Sequence, residues 1–470
     1  MKRELTSMFC EKKVILLGAG VSNMPLAGML HKMGAKIEVR DKKTREEMGE
    51  DLKSLLDMGA DLVLGEDYLS EMEGDYVFRS PGFRPDIPVL ENARKKGIRV
   101  TGEMELFLEV APCPVIGITG SDGKSTTTTL VSKILEAAFE GTERKMFLGG
   151  NIGEPLLHRA SDMSEDDVVA AELSSFQLMT VNAPVDVAVI KNVTPNHLNW
   201  HTGMDEYIEA KARILKGCRR AVLNYEDEVC RALGEKCKSP IMWFSKTPIP
   251  KEFLADCEGG VYMKNGAMML YLSSEGEERE IMKRSDILLP GDHNAENYCT
   301  AVAATLDYAT DADFIKVART FKGVRHRLEL VREKDNVKFY NSSIDSSPTR
   351  TAAAISAIET PIRIICGGYD KNIPFEPLAD ALIECKNIKT VVLTGATLEK
   401  IEAALLSHRD FEKSGIELVR EPDFTLAVKK CAESAQAGDC VLLSPACASF
   451  DAFKNFEERG EYFKKIVNEL

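Results

Sequence analysis

One stretch of the chain concentrates residue types that can hold a nucleotide. Gly117-Ile118-Thr119-Gly120-Ser121-Asp122-Gly123-Lys124-Ser125-Thr126 follows an apolar run from Val115 and opens a Thr-rich helical segment. Backbone N–H groups in such a turn cradle triphosphate oxygens, and the dipole of the helix that follows adds positive potential. Lys124 would neutralise the β- and γ-phosphates, and Ser125 or Thr126 would offer a hydroxyl to Mg²⁺. The usual phosphate loop carries a glycine five residues before Gly123, where this chain has Ile118. The spacing is a shorter variant, TGxxGK[ST]. A glycine-rich turn without a ligand is the plain alternative, and Lys and Ser at these offsets weigh against it. The ATP-binding candidates are therefore Gly120, Ser121, Asp122, Gly123, Lys124, Ser125 and Thr126.

Other positions could complete such a site, each with a plainer reading beside it. Glu172 ends the apolar run VVAA, where a carboxylate can ligate Mg²⁺ or merely face solvent. His197 sits in a Pro- and Asn-rich turn, a polar setting for a catalytic or metal-bound imidazole or for an ordinary surface one. Lys211, on the helical segment MDEYIEAKARIL, reads as a solvated lysine. Asn294 and Asn297, three residues apart, share one helix face and can present amides to a base or ribose, although Asn294 could instead cap the helix. Arg327 beside His326 is either a nucleotide contact or a solubilising charge. A second glycine turn, Gly18-x-Gly20-x-x-Asn23, lacks the third glycine of a dinucleotide fingerprint, which argues against a nicotinamide cofactor. Asp41 lies at about the ribose-binding distance, so a structural turn and a uridine-nucleotide site both remain open.

The elements that must position these residues alternate between short apolar strands and helices, the pattern of parallel sheets covered by helices. Strands are expected at 13–17, 36–40, 115–118, 167–171, 185–190 and 221–224, with a hairpin over 261–272 turning at Asn265-Gly266. A further series begins near Val337 and ends in an amphipathic helix. Boundaries fall near residues 110 and 323. The length of 470 residues suits about three domains of ~150 each. No apolar run approaches the ~18 residues that a membrane span needs, and the segment from Met1 to Leu5 has no export signal. Twelve scattered cysteines without a CxxC pair suit free thiols in a reducing cytoplasm. A net charge of −14 disfavours broad binding to nucleic acid or anionic membrane.

The loop TGSDGKSTT resembles that of the Mur ligases and their folylpolyglutamate synthase relatives. Further matches follow in order: Asn151-Ile152-Gly153, AELSSFQL around Glu172, NVTPNH through His197, EAKARI around Lys211, GDHNAEN, His326-Arg327-Leu328-Glu329 and SPACASFDAFKNFEERG. The resemblance implies an α/β fold of three domains: a Rossmann-like UDP-sugar domain (1–110), a central P-loop-type ATPase (111–323) and a Rossmann-like amino-acid domain (324–470). It implies ATP-dependent, Mg²⁺-assisted addition of D-glutamate to UDP-N-acetylmuramoyl-L-alanine through an acyl phosphate. The expected protein is a cytoplasmic monomer with no nucleic-acid or membrane partner.

For individual residues the resemblance implies catalytic roles for Lys124, His197 and Lys211, with Lys211 carbamylated by CO₂. Two Mg²⁺ ions would lie among Ser125, Glu172, His197 and Lys211. Asn294, Asn297, His326, Arg327 and Asp345 would join the ATP site. Gly18, Ala19, Gly20, Val21, Ser22, Asp41, Gly82 and Asn151 would meet the UDP sugar, and Thr349, Lys371, Ser449 and Phe456 the amino acid. One segment departs from the family: Asn341-Ser342-Ser343-Ile344-Asp345-Ser346-Ser347-Pro348-Thr349 stands where an NDSKAT-like turn is usual, so the lysine is missing and the acid displaced. Two rivals remain, a sister ligase for another amino acid and a nucleotide switch that hydrolyses ATP without ligation.

Overall fold

A computed structural model describes residues 2–20, 22–198, 200–370 and 373–470. Val21 and Lys371 therefore lie outside the described residues. The described residues form three sheets. The first is built from β1 (Lys13–Leu17), β2 (Lys36–Asp41), β3 (Asp61–Leu64), β4 (Tyr76–Arg79) and β5 (Arg99–Thr101). All its pairs are parallel and its order is β3-β2-β1-β4-β5. The order reverses at β1, so the crevice of this sheet opens at the end of β1, where Gly18 begins its turn.

The second sheet contains β6 (Val115–Thr119), β7 (Met146–Gly150), β8 (Val168–Glu172), β9 (Val187–Ile190), β10 (Arg220–Asn224), β11 (Ile241–Ser245), β12 (Gly259–Lys264), β13 (Ala267–Leu272) and β14 (Glu278–Lys283). Its order is β14-β13-β12-β11-β10-β9-β6-β8-β7. Every residue of β6, β8, β9 and β10 is buried, as befits central strands covered on both faces. The expected hairpin joins β12 to β13, and Asn265 (φ 52°) and Gly266 (φ 77°) adopt the left-handed backbone of a type I′ turn. β6 lies between β8 and β9, which makes its C-terminal end the switch point of this sheet.

The third sheet comprises β15 (Glu329–Lys334), β16 (Val337–Asn341), β17 (Ile362–Gly367), β18 (Ile388–Thr394), β19 (Glu417–Arg420) and β20 (Cys440–Leu443) in the order β15-β16-β20-β17-β18-β19. It begins one strand earlier than expected, because β15 pairs antiparallel with β16 as a half-exposed edge. The expected α/β class holds in all three regions. Contacts divide the chain into two compact units, residues 1–286 with 295–319, and residues 287–294 with 320–470. Among the described residues no helix is long and apolar enough to cross a membrane. The cysteines form no disulfide.

Within the first unit, one buried acid ties the region of the first sheet to that of the second. Glu103 opens the helix Glu103–Val110, and its Oε1 accepts the N–H of Leu157 at 2.7 Å. Burial pushes its carboxyl up to about 7. A carboxyl held that high adds stability below its unfolded value, and that contribution is lost as pH rises toward 7. Glu103→Gln keeps an acceptor for Leu157 and never ionises. Its melting temperature should exceed wild type at pH 8 and match it near pH 5, reflecting on the order of 1–3 kcal/mol. Equal differences at the two pH values would refute the assignment.

Candidate active site

β6 runs into the turn Gly120–Gly123, and the helix Lys124–Ala138 starts directly behind it. Gly123 has φ 76°, and a Cβ there would come 2.7 Å from Asn297 Oδ1, so no other residue fits without displacement. The turn rests on the strand end after β9. Asn192 Oδ1 accepts N–H groups from Ser121 (3.0 Å) and Asp122 (2.8 Å), and Asn192 O accepts Ser121 N at 2.9 Å. Those two N–H groups are thus committed to the protein, and among the described residues the helix behind them bears no side-chain cap. Lys124 Nζ curls over the turn and donates to the carbonyls of Gly120 (2.9 Å) and Ser121 (3.0 Å). Ser121 Oγ lies between Thr194 O (2.9 Å) and Tyr207 Oη (3.0 Å). Ser125 is half-buried and Thr126 buried at the first turn of the helix. Asn297 meets the same helix, where its Oδ1 accepts Thr127 Oγ1 at 3.3 Å.

Glu172 ends β8 with 1% exposure. Its Oε1 accepts Asn151 Nδ2 at 2.7 Å, whereas among the described residues its buried Oε2 has no hydrogen-bond partner. A buried carboxylate oxygen without a donor is costly, and a cation beside it removes that cost. Asn151 also donates its N–H to Glu172 O at 2.8 Å, so Asn151 orients the acid.

Lys211 overturns the solvated reading of its helix. It is 1% exposed on the helix Met204–Ala212 and donates to Gly120 O (2.7 Å) and Thr119 Oγ1 (3.4 Å). Its ammonium lies 4.5 Å over the Tyr207 ring. Burial above all, then the charge of Lys124, lowers it to about 7, against the pull of Asp122 and Glu172. A neutral amine of this kind can add CO₂. His197, by contrast, is exposed with φ 55°, its ring edge-on to Phe176 at 5.0 Å.

The donor set fits Mg²⁺ on two observations: the orphaned Glu172 Oε2 and the helix-start hydroxyls of the phosphate loop. Among the described residues no group of three or more His, Cys, Asp or Glu is gathered as a metal cage.

At the first sheet, Gly18 (φ 94°) packs against Ser80, and a Cβ would approach Ser80 Cβ to 2.9 Å. Asn23 fills the place of the third glycine of the fingerprint. It is buried, and its Nδ2 donates to Leu17 O (3.2 Å) and Gly18 O (2.9 Å), locking the turn. Asp41 closes the same turn: Oδ2 accepts Ala19 N at 2.7 Å and Oδ1 accepts Lys43 N at 2.9 Å. Gly20 is exposed and Ser22 half-buried at the start of the helix Asn23–Lys32.

Gly82 O accepts Trp200 Nε1 at 3.1 Å. Around that contact lies a network the sequence did not reveal. Arg84 bonds Trp200 O (2.8 Å) and both carboxylate oxygens of Glu206 (2.8 and 3.1 Å), and stacks 5.1 Å over the Trp200 ring. Buried His201 bridges Glu206 (3.0 Å) and Ser175 Oγ (2.9 Å), and burial holds its imidazole below the ordinary value.

In the second unit, buried His326 (φ 64°) pairs Nδ1 with Asn341 Nδ2 at 3.1 Å and meets the Phe456 ring edge-on at 5.8 Å. Arg327 is half-buried, and Asn294 donates Nδ2 to Pro290 O at 2.7 Å. Asp345 is buried, with Ser444 Oγ donating to Oδ2 at 2.8 Å, and burial raises its carboxyl. Ser347 stands at the N-cap of the helix Pro348–Ser356 and, among the described residues, makes no capping hydrogen bond. Thr349 is exposed on that helix and Ser449 is buried in the turn after β20. Arg459, unmarked by sequence, is 1% exposed and clamps these turns by donating to Ser343 O, Cys447 O and Ala448 O at 2.8–2.9 Å.

The Mur ligase middle domain matches residues 118–305, and the Mur ligase glutamate ligase domain matches residues 326–447. The chain is 44% identical to the UDP-N-acetylmuramoylalanine–D-glutamate ligase of Clostridium novyi, over 99% of both chains. It is 42% identical to the ligase of the same name from Ruminiclostridium cellulolyticum, over 98% of this chain and 97% of that one. Among solved structures, UDP-N-acetylmuramate–alanine ligase of Thermotoga maritima shares the fold with a TM-score of 0.57 at 16% identity, covering 97% of this chain and 99% of that one. A pseudomurein peptide ligase of Methanothermus fervidus does so with a TM-score of 0.53 at 18% identity and the same coverage. With likeness of this degree over its whole length, the chain belongs to the Mur ligase family and is a ligase.

Proposed function

We propose that this ligase joins D-glutamate to UDP-N-acetylmuramoyl-L-alanine, forming ADP and phosphate, in the cytoplasmic synthesis of peptidoglycan precursors. The observation that carries the reading is the phosphate loop at the β6 switch point, with buried Glu172 and Lys211 converging on the same strand ends. A carboxylate is inert toward amines because its oxygen is a poor leaving group. Its terminal oxygen therefore attacks the γ-phosphorus of ATP, the bond to the β-γ bridging oxygen breaks, and ADP departs. The amine of D-glutamate then attacks the acyl carbon, and the tetrahedral intermediate expels phosphate and leaves an amide. Gly120 to Thr126 bind the triphosphate, and Lys124 leaves the loop carbonyls to meet the charge on the transferring phosphoryl group.

The neutral Lys211 amine adds CO₂, forming an N–C bond and releasing one proton, so an amine becomes an anionic, carboxylate-like ligand. Glu172, the Ser125 and Thr126 hydroxyls, His197 and that carbamate would hold two Mg²⁺ ions, which supply charge neutralisation at the phosphates. Gly18, Ala19, Gly20, Val21, Ser22 and Gly82 of a domain spanning 1–110, together with Asn151 of the domain that follows, would meet the UDP sugar. There Asp41 acts by shaping the turn at Ala19. Asn294, Asn297, His326, Arg327 and Asp345 would serve ATP binding. Thr349, Lys371, Ser449 and Phe456 receive D-glutamate in the domain spanning 324–470. The working form is a monomer without nucleic-acid or membrane partners.

Phosphate release with ATP, Mg²⁺ and UDP-N-acetylmuramoyl-L-alanine, screened over L- and D-amino acids with the product weighed by mass spectrometry, tests the reading. Amide formation with D-glutamate alone supports it. Another amino acid winning moves the protein to a sister ligase, and phosphate without amide leaves a nucleotide switch.

A further inference from the structure

Lys191 is a buried cation beside the phosphate loop that the mechanism above does not use. It follows β9 directly, is 1% exposed, and its N–H donates to Thr119 O at 2.9 Å. Its Nζ donates to Glu296 Oε1 (3.0 Å) and Thr300 Oγ1 (2.9 Å), both on the helix Asp292–Thr305, and lies 4.7 Å over the Phe244 ring. Its stem forms the floor of the loop: a Cβ on Gly120 would come 2.7 Å from Lys191 Cβ, and one on Gly123 would come 3.1 Å from Lys191 Cε. Asn297, next to Glu296 in the chain, is the residue whose Oδ1 faces Gly123 and accepts Thr127 Oγ1.

A lysine needs strong reason to be held without water, since an ammonium is costly to bury unless every proton finds an acceptor. Here the acceptors are two side chains, one turn apart, of the helix that also carries Asn297. The bond therefore fixes the rotation and depth of that helix relative to the strand end bearing the loop. We propose that Lys191 is a positioning residue for the ATP loop, fastening the helix Asp292–Thr305 beneath Gly120–Gly123 so that Asn297 is held against the loop. The proposal rests on residues 120–126 being the ATP loop. It adds that the affinity for nucleotide is set partly from below, by an ion pair that touches no substrate.

The test is steady-state kinetics of the full chain carrying Lys191→Met, Lys191→Arg, Thr300→Val and Asn297→Ala. Lys191→Met should raise KM for ATP about tenfold or more while KM for the UDP-sugar substrate and for D-glutamate stay within about twofold. Lys191→Arg, which keeps the charge and its donors, should recover most of that loss. Because Lys191 acts through Asn297, the Lys191→Met and Asn297→Ala effects on KM for ATP should be strongly non-additive in the double mutant. Should Lys191→Met fail to fold, Thr300→Val decides by the same split, with a rise of about threefold in KM for ATP alone. An equal fall of kcat/KM for all substrates, or additive single effects, overturns the proposal. Wild-type protein that neither binds nor turns over ATP would instead sink the reading of the loop, a separate result.

Discussion

Lys211→Met should lose activity by on the order of a thousandfold while melting at the same temperature as wild type or higher. The two halves of that result come from one observation. Among the described residues the unmodified Lys211 side chain, 1% exposed, bonds only a carbonyl and a hydroxyl and has no carboxylate partner in contact. Such a group is expensive to bury, and replacing buried charge with an apolar side chain of similar volume is commonly neutral or stabilising. If Lys211 were there for structure, Met would lower stability and activity together. If it is there to become a carbamate, only activity falls. Stripping CO₂ from the buffer should depress wild-type turnover reversibly, and ¹³C-labelled CO₂ should give a carbamate resonance absent from Lys211→Met. A variant that keeps turnover within about threefold of wild type would contradict the carbamate.

Lys124→Met is expected to cost about 10²–10³ in kcat with a smaller rise in KM for ATP. Its ammonium holds the Gly120 and Ser121 carbonyls, and the helix start behind it carries the remaining positive potential. Ground-state ATP thus retains the helix N–H groups when Lys124 is lost, whereas the transferring phosphoryl group loses its cation. Parallel kinetics and ATP-binding calorimetry separate the two. A large rise in KM and Kd for ATP with kcat unchanged at saturation would assign Lys124 to binding alone.

Spacing made the phosphate loop readable because each of its constraints is local. The strand VIGIT, the glycine with φ 76° and the lysine at the helix start all lie within ten residues. Glu172 at a strand end was readable for the same reason. Contacts made across the fold left no such trace. Arg84 reaches Glu206 over 122 residues, and nothing near either residue announces the pair. Lys191 follows the run VDVAVI and Lys211 sits among acids on an amphipathic segment, so both look like ordinary strand-end and surface lysines. Their burial depends on helices that arrive from elsewhere in the chain. Asp41 shows the converse. Its distance from the glycine turn was legible, but not that its carboxylate spends both oxygens on the backbone of that turn and its neighbour. β7, β14 and β15 escaped notice because short edge strands carry polar or glycine residues on the open side.

The most direct test of the central claim follows one oxygen atom. UDP-N-acetylmuramoyl-L-alanine labelled with ¹⁸O in both oxygens of its terminal carboxylate is turned over with ATP and D-glutamate, and the released phosphate is weighed. Attack of the carboxylate on the γ-phosphorus followed by cleavage at the acyl carbon must leave one ¹⁸O in each phosphate. Unlabelled phosphate, with both labels kept in UDP-sugar species, would contradict acyl-phosphate ligation at this site.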